Sequence, residues 1–90
     1  MKTIYKYKIR IEDLQEITMP ICAEVLSVQV IDDTPYIWAL VDTTENVVDR
    51  RLAIVGTGTP YELAPLEAEF VGTFQLLGGR CVFHLFDLGY

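Results

Sequence analysis

The first residue to consider for chemistry is His84, because an imidazole can act as acid, base or metal ligand near neutral pH. It is the chain's one histidine, and strand alternation over residues 81–86 places it on the face of Val82 and Phe86. A Ser-His-Asp triad, a Cys-His pair or a two-histidine metal site would all have to share it. Cys81 falls on the opposite strand face. We therefore expect His84 to be half-buried and hydrogen-bonded to a neighbouring carbonyl.

The acidic residues do not suggest an acid/base pair, because most of them stand in predicted turns, as do Asp32, Asp33 and Asp42. Carboxylates there serve solvation and capping, whereas an acid/base pair needs two carboxyls in contrasting environments. The sequence therefore predicts no catalytic residue, no metal site and no cofactor. We interpret the chain as a non-enzymatic protein.

The segment Gly56–Thr59, with the sequence Gly-Thr-Gly-Thr, resembles a phosphate-binding loop only in part. It lacks the Gly-Lys-Ser/Thr ending of a P-loop and the third glycine of a dinucleotide fingerprint. It is first of all a turn, yet its backbone N–H groups and hydroxyls could bind an anion. An anion site would join this loop to Arg50 or Arg51, either within one chain or across a subunit interface.

Trp38 has two interpretations, because it alternates with apolar neighbours in a predicted strand. Such a tryptophan usually fills a β core. The alternative is an interface anchor, since Trp, Tyr and Arg dominate binding hot spots. Tyr5 and Tyr7 in the first strand allow the same two interpretations. The candidate ligand- or partner-binding residues are therefore Tyr5, Tyr7, Tyr36, Trp38, Arg50, Arg51, Gly56, Thr57, Gly58 and Thr59.

The elements that must position these residues are strands, because the hydrophobic pattern repeats every two residues and not every 3.6. Turn signals separate the strands, the strongest being Asp32–Pro35 and Gly78-Gly79, each of which predicts a hairpin. The pattern predicts one all-β domain over residues 1–90, an antiparallel sandwich or barrel of six to seven strands, with a short helical turn possible within Tyr61–Glu69. The predicted strands cover residues 2–11, 14–19, 24–31, 36–41, 48–55, 70–77 and 80–88, with 24–31 as a central strand.

Composition adds an expectation about assembly. Apolar residues make up 51% of the 90-residue chain, which is more than one small core needs. We expect some of that surface to be covered in a homo-oligomer or by a partner.

Charge is distributed unevenly along the chain. The net charge is −6, yet four of the seven basic residues stand in the first ten positions, and residues 11–90 hold three basic and thirteen acidic residues. Nucleic acid is not the expected partner of so acidic a chain. A basic stripe on the first strand, formed by Lys2, Lys6, Lys8 and Arg10, could still meet an anion.

Location follows from what the sequence lacks. Two cysteines, Cys22 and Cys81, are too few for a disulfide framework. No apolar signal segment follows Met1, and no apolar run reaches the ~18–20 residues of a membrane span. We expect a cytoplasmic protein with no membrane partner.

Five segments in order resemble a family of uncharacterised small proteins found mainly in bacteriophages and bacteria. They are residues 27–30, 38–42, 54–58, 71–75 and 82–86. Members would carry a histidine after Gly-Thr-Gly, where this chain has Thr59. The resemblance implies an origin and not a chemistry, namely a phage accessory protein acting in the host cytoplasm.

These observations favour two functions over two weaker alternatives, which are an enzyme that uses His84 and a structural role in a virion. The first is a binding protein that engages and inhibits a host protein, such as a component of a defence system. The second is a small-molecule sponge that sequesters an anionic nucleotide or signalling metabolite at the Gly56–Thr59 loop.

Overall fold

The computed structural model describes residues 1–62 and 68–90, which form seven strands and one short 3₁₀ turn. The strands follow the alternating segments of the sequence, because each alternation allows one face to be buried. Their bounds are β1 Lys2–Lys8, β2 Leu14–Pro20, β3 Glu24–Ile31, β4 Thr34–Asp42, β5 Val47–Gly56, β6 Glu69–Leu76 and β7 Cys81–Gly89; the 3₁₀ turn is Leu77–Gly79.

The strands form two antiparallel sheets, so the predicted all-β fold with six to seven strands is confirmed. One sheet has the order β1-β4-β3 and the other the order β2-β5-β7-β6. The two sheets do not close into a barrel, and of the two predicted architectures the sandwich is the one found.

The core lies between the sheets and is made of alternate residues from both. On β4, Ile37, Ala39 and Val41 are almost fully buried, while Trp38 between them is on the opposite face. The second sheet contributes inward side chains from all four of its strands. The buried core residues are Ile9, Met19, Ala23, Val28, Ile37, Ala39, Val41, Leu52, Ile54, Phe74 and Leu85.

The two sheets approach each other most closely where β6 lies beside β3. A Cβ atom on Gly72 would stand 2.9 Å from Cγ1 of Val28, closer than carbon atoms can pack. Glycine at this position therefore permits the approach of the two strands, and a bulge in β6 between Phe70 and Gly72 accompanies it.

Both predicted hairpins are present. Asp32 and Asp33 have φ of 49° and 57°, as the two central residues of a type I′ turn require, and aspartate tolerates this conformation. The amide of Leu77 donates to Oδ1 of Asp33 at 2.8 Å, which links this turn to the second hairpin. That second loop is longer than the predicted glycine pair, since it includes the 3₁₀ turn.

Two local predictions were wrong, and a third concerns residues that lie mostly outside the described ones. The first strand ends at Lys8 and not at Ile11. The strand Glu24–Ile31 is not central, because β4 occupies the middle of its sheet. The helical turn expected within Tyr61–Glu69 falls largely on residues outside the described ones.

Candidate functional site

The outer side of the three-stranded sheet carries a group of aromatic and basic side chains. Lys6 pairs with Trp38, and Lys8 with Tyr36, across β1 and β4, so all four side chains share that side. From β3, Gln29 lies opposite Tyr36. We call these five residues the lysine–aromatic face: Lys6, Lys8, Gln29, Tyr36 and Trp38.

Contacts among these side chains fix their positions. The Lys6 ammonium lies 4.7 Å from the centre of the Tyr36 ring and 6.0 Å from that of Trp38, close enough for a cation–π interaction. Nε1 of Trp38 donates to Oε1 of Gln29 at 3.0 Å. The indole is therefore held on the solvent side of the sheet. This position excludes the interpretation that Trp38 fills the core.

The lysines of β1 are not neutralised by ion pairs with any described residue. The ion pairs formed within residues 1–62 and 68–90 join the amino terminus to Asp42, Arg10 to Glu12 and Arg50 to Asp87. The positive charges of Lys6 and Lys8 therefore remain available to an incoming group, beside the aromatic rings of Tyr36 and Trp38.

Tyr5 and Tyr7 belong to the opposite side of β1, since they pair with Ala39 and Ile37. Their rings meet edge to face at a centroid distance of 6.3 Å. Tyr7 packs against the core, and burial, followed by the nearby Tyr5, raises the pKa of its phenol. Tyr5 keeps 43% of its surface exposed, because β1 is at the edge of its sheet.

Arg50 and Arg51 point to opposite sides of β5, as alternation predicts. Arg50 is only 9% exposed, and its Nε and Nη2 atoms donate to the two carboxylate oxygens of Asp87 at 2.8 and 2.6 Å. Its Nη1 atom donates to the carbonyl of Ala23 at 2.7 Å, and the Tyr90 ring lies 4.9 Å away. Its hydrogen-bonding capacity is thus largely used within the fold, whereas Arg51 is exposed.

The buried ion pair shifts the pKa values of both partners. The hydrogen bond to Asp87 raises the pKa of the Arg50 guanidinium, against the effect of burial. Burial alone would raise the pKa of the Asp87 carboxyl, but the hydrogen bonds from Arg50 and from the Gly89 amide hold it below its usual value. Both groups are therefore charged at neutral pH.

The Gly56–Thr59 loop contacts His84 and not the arginines. Thr57 Oγ1 lies 2.8 Å from Nε2 of His84, and Thr73 Oγ1 lies 2.9 Å from Nδ1. The half-buried position expected for His84 is found, but its partners are two hydroxyls and not a carbonyl. Arg51 is five residues from Gly56 along β5, about 17 Å, so one chain does not join them in one site.

Sequence reasoning missed several residues that define these surfaces. Gln29 was not chosen as a contact residue, and Lys6 was named only as part of the basic stripe of the first strand, because the pairing of β1 with β4 is not visible in the sequence. Asp87 gave one usable signal, since it is a carboxylate inside an apolar strand and such a group needs a cationic partner when it is buried.

Within the described residues, no three His, Cys, Asp or Glu side chains are grouped as a metal site would require. No helix in that part of the chain is long and apolar enough to cross a membrane.

Comparison with known protein families gave a match over nearly the whole chain. A family model with the description Domain of unknown function (DUF7352) matches residues 1–89. No curated protein and no solved structure matched the chain.

Proposed function

We propose that this chain, which belongs to the DUF7352 family of unknown function, is a non-enzymatic binding protein that engages a partner protein through its lysine–aromatic face. The observation that carries the proposal is the position of Trp38, on the solvent side of a strand whose other side fills the core. Trp38 does not contribute to the core between the sheets, so packing within the fold does not account for a tryptophan at this position.

The composition of the face suits protein recognition. Aromatic side chains are enriched in interface cores, because they offer a large contact area with few rotatable bonds. Trp38 and Tyr36 supply that area, and Gln29 holds the indole in place, which lowers the entropy lost on binding. The lysines at the rim would add charge complementarity and faster association.

The partner we propose is a host protein, and the protein itself a phage accessory protein that blunts a host defence in the cytoplasm. This part of the proposal is supported by the resemblance to small phage and bacterial proteins. We also propose a homo-oligomer, since Leu14 and Phe70 on the second sheet remain 64% and 57% exposed.

Replacing Trp38 by alanine is expected to weaken partner binding by about thirtyfold or more, the loss typical of an interface anchor. The measurement is affinity capture from host lysate, followed by calorimetric titration of the purified partner. Val47→Ala is the matched control, because Val47 is an exposed apolar residue on the other sheet and has no proposed role in an interface. Equal partner affinities for wild type and Trp38→Ala would remove the lysine–aromatic face from the proposal.

A second candidate function is the anion sponge, favoured by the contact of the Gly56–Thr59 loop with His84. Thr57 and His84 together offer a hydroxyl and a ring nitrogen. The amides of Thr57 and Thr59 already donate to the carbonyls of Val82 and Gly56, so the side chains and not these two N–H groups would contact an anion. A nucleotide that bound only the native state at one hundred times its dissociation constant would stabilise the fold by about 2.7 kcal/mol.

The sponge is tested by thermal unfolding with a panel of cyclic and linear nucleotides at millimolar concentration. The expected result is a rise in the melting temperature that Thr57→Val abolishes. An unchanged melting temperature with every nucleotide would rule out this function.

A further inference from the structure

The free edge of β1 indicates what kind of partner segment this protein could bind. In the sheet order β1-β4-β3, β1 is an outer strand, with no further strand beside it among the described residues. No residue of β1 is fully buried, and Ile4 is 55% exposed. An exposed strand edge is a template for pairing with another chain.

The register shows which backbone groups are at that edge. The amide of Ile9 donates to the carbonyl of Pro35 at 3.1 Å, and the amide of Thr43 donates to the carbonyl of Met1 at 2.9 Å. In an antiparallel pair a residue directs both backbone groups toward its partner strand or both away from it, in alternation. Odd-numbered residues therefore face β4, and the groups that face the free edge belong to Lys2, Ile4, Lys6 and Lys8.

The charges of the side chains on β1 indicate which kind of strand could pair with this edge. The same even-numbered residues carry the lysines of β1, whereas the chain beyond residue 10 has a large excess of carboxylates. Lys2 lies opposite Asp42, but Lys6 and Lys8 lie opposite Trp38 and Tyr36. An added strand would therefore meet two lysines whose charges are not offset across the sheet.

A second copy of this chain is a poor occupant of the edge. Antiparallel pairing of two β1 strands about Tyr5 would place Lys2 of one copy opposite Lys8 of the other. Like charges directly opposite each other destabilise a sheet. An acidic strand has the complementary charge.

We infer that the β1 edge binds an extended, acidic segment of the partner protein as a fourth strand of the three-stranded sheet. This inference rests on the proposed function and specifies the chemistry of its partner. Backbone hydrogen bonds to the even-numbered residues would hold the segment. Its carboxylates would lie on the outer side beside Lys6 and Lys8, and its other side chains would lie beside Tyr5 and Tyr7.

The experiment uses a blocked eight-residue peptide in which glutamate alternates with valine, and a control peptide in which lysine replaces glutamate. Amide hydrogen exchange is followed by NMR on the wild-type protein during titration with each peptide. We expect the glutamate peptide to slow exchange at Ile4, Lys6 and Lys8 at least tenfold, while Tyr5 and Tyr7 are protected already. The lysine peptide should leave all five rates unchanged.

Two substitutions at one position separate backbone from side chain. Ile4→Pro removes an edge N–H without breaking a bond to β4, and proline is tolerated on edge strands. We expect it to weaken peptide binding about tenfold, whereas Ile4→Thr keeps the amide and should bind within about twofold of wild type. Lys6→Gln and Lys8→Gln should each weaken binding about two- to fivefold, and 1 M salt should remove that difference.

Several outcomes would overturn the inference. These are absence of binding, equal affinity for the two peptides, or binding without protection of the even-numbered amides. Tighter binding of an oligomer of eight deoxythymidines than of the peptide would assign the surface to nucleic acid. If the peptide failed while partner capture still required Trp38, the edge inference alone would fall. If the peptide bound while partner capture ignored Trp38, the proposed face would fall instead.

Discussion

Replacing Asp87 by asparagine is expected to lower the free energy of unfolding by about 3 kcal/mol, which makes this one of the largest single effects in the chain. Asp87 is 7% exposed and Arg50 is 9% exposed, so both charges are largely removed from water. Asparagine keeps the shape of aspartate but leaves the Arg50 guanidinium without a counter-charge. An uncompensated buried charge costs far more than a broken surface pair.

The same substitution should change the pH dependence of stability. Hydrogen bonds from Arg50 and from the Gly89 amide lower the pKa of Asp87 in the folded state, despite its burial. A lowered folded-state pKa gives stability that is present above the unfolded-state value and is lost as pH falls through the folded-state value. Stability should therefore fall below about pH 4 in wild type, and this fall should be shallower in Asp87→Asn.

Chemical denaturation between pH 7 and pH 2 measures both effects. Arg51→Gln is the matched control, because Arg51 is the neighbouring but exposed arginine of β5. Its free energy of unfolding should stay within about 0.5 kcal/mol of wild type. A loss of less than 1 kcal/mol in Asp87→Asn would show that the pair does not carry the stability assigned to it.

The second large effect is expected from Ile37→Ala, with a loss of about 2–5 kcal/mol in the free energy of unfolding. Ile37 is fully buried at the centre of β4, the middle strand of the three-stranded sheet. The substitution leaves a cavity between the sheets that the flanking strands cannot fill. A small domain with a total stability of ~5–10 kcal/mol would lose a large part of it.

Trp38→Ala is the control for Ile37→Ala, one residue away on the same strand and on the opposite side. Because the indole lies outside the core, its removal should lower the free energy of unfolding by about 1 kcal/mol or less. Thermal unfolding followed by circular dichroism compares the two variants. If Trp38→Ala were as destabilising as Ile37→Ala, the indole would be a structural residue, and its proposed role in binding would lose its support.

The alternation of residue types accounts for how much of the fold the sequence could predict. Period-two patterns and the Asp32-Asp33 turn gave the strand class and the β3–β4 hairpin, because both depend on neighbours in the chain. The pairing of β1 with β4 depends on residues 28 to 40 positions apart, and no local pattern specifies it. The prediction that Glu24–Ile31 is a central strand was wrong for the same reason. A strand that is apolar on both faces can lie in the middle of its sheet, or it can be an outer strand that packs against the other sheet.

The candidate site shows the same division between local and distant information. Tyr36 and Trp38 were identified from side-chain type, and alternation placed them together. Lys6 joins them only through cross-strand pairing, and Arg50 was assigned to ligand contact without knowledge of Asp87. Residue chemistry thus indicated the aromatic part of the surface, whereas tertiary structure decided which charges accompany it.

The late pairing of β1 also has a consequence during synthesis on the ribosome. Lys2 precedes its cross-strand neighbour Asp42 by forty positions, so at ~5–20 residues per second the first strand waits about 2–8 s for its partner. In that interval it is an exposed, β-prone segment in a crowded solution of other nascent chains. Its three lysines act as gatekeepers that oppose premature aggregation. The same lysines that would attract an acidic strand to the folded protein would therefore first protect the nascent chain from aggregation.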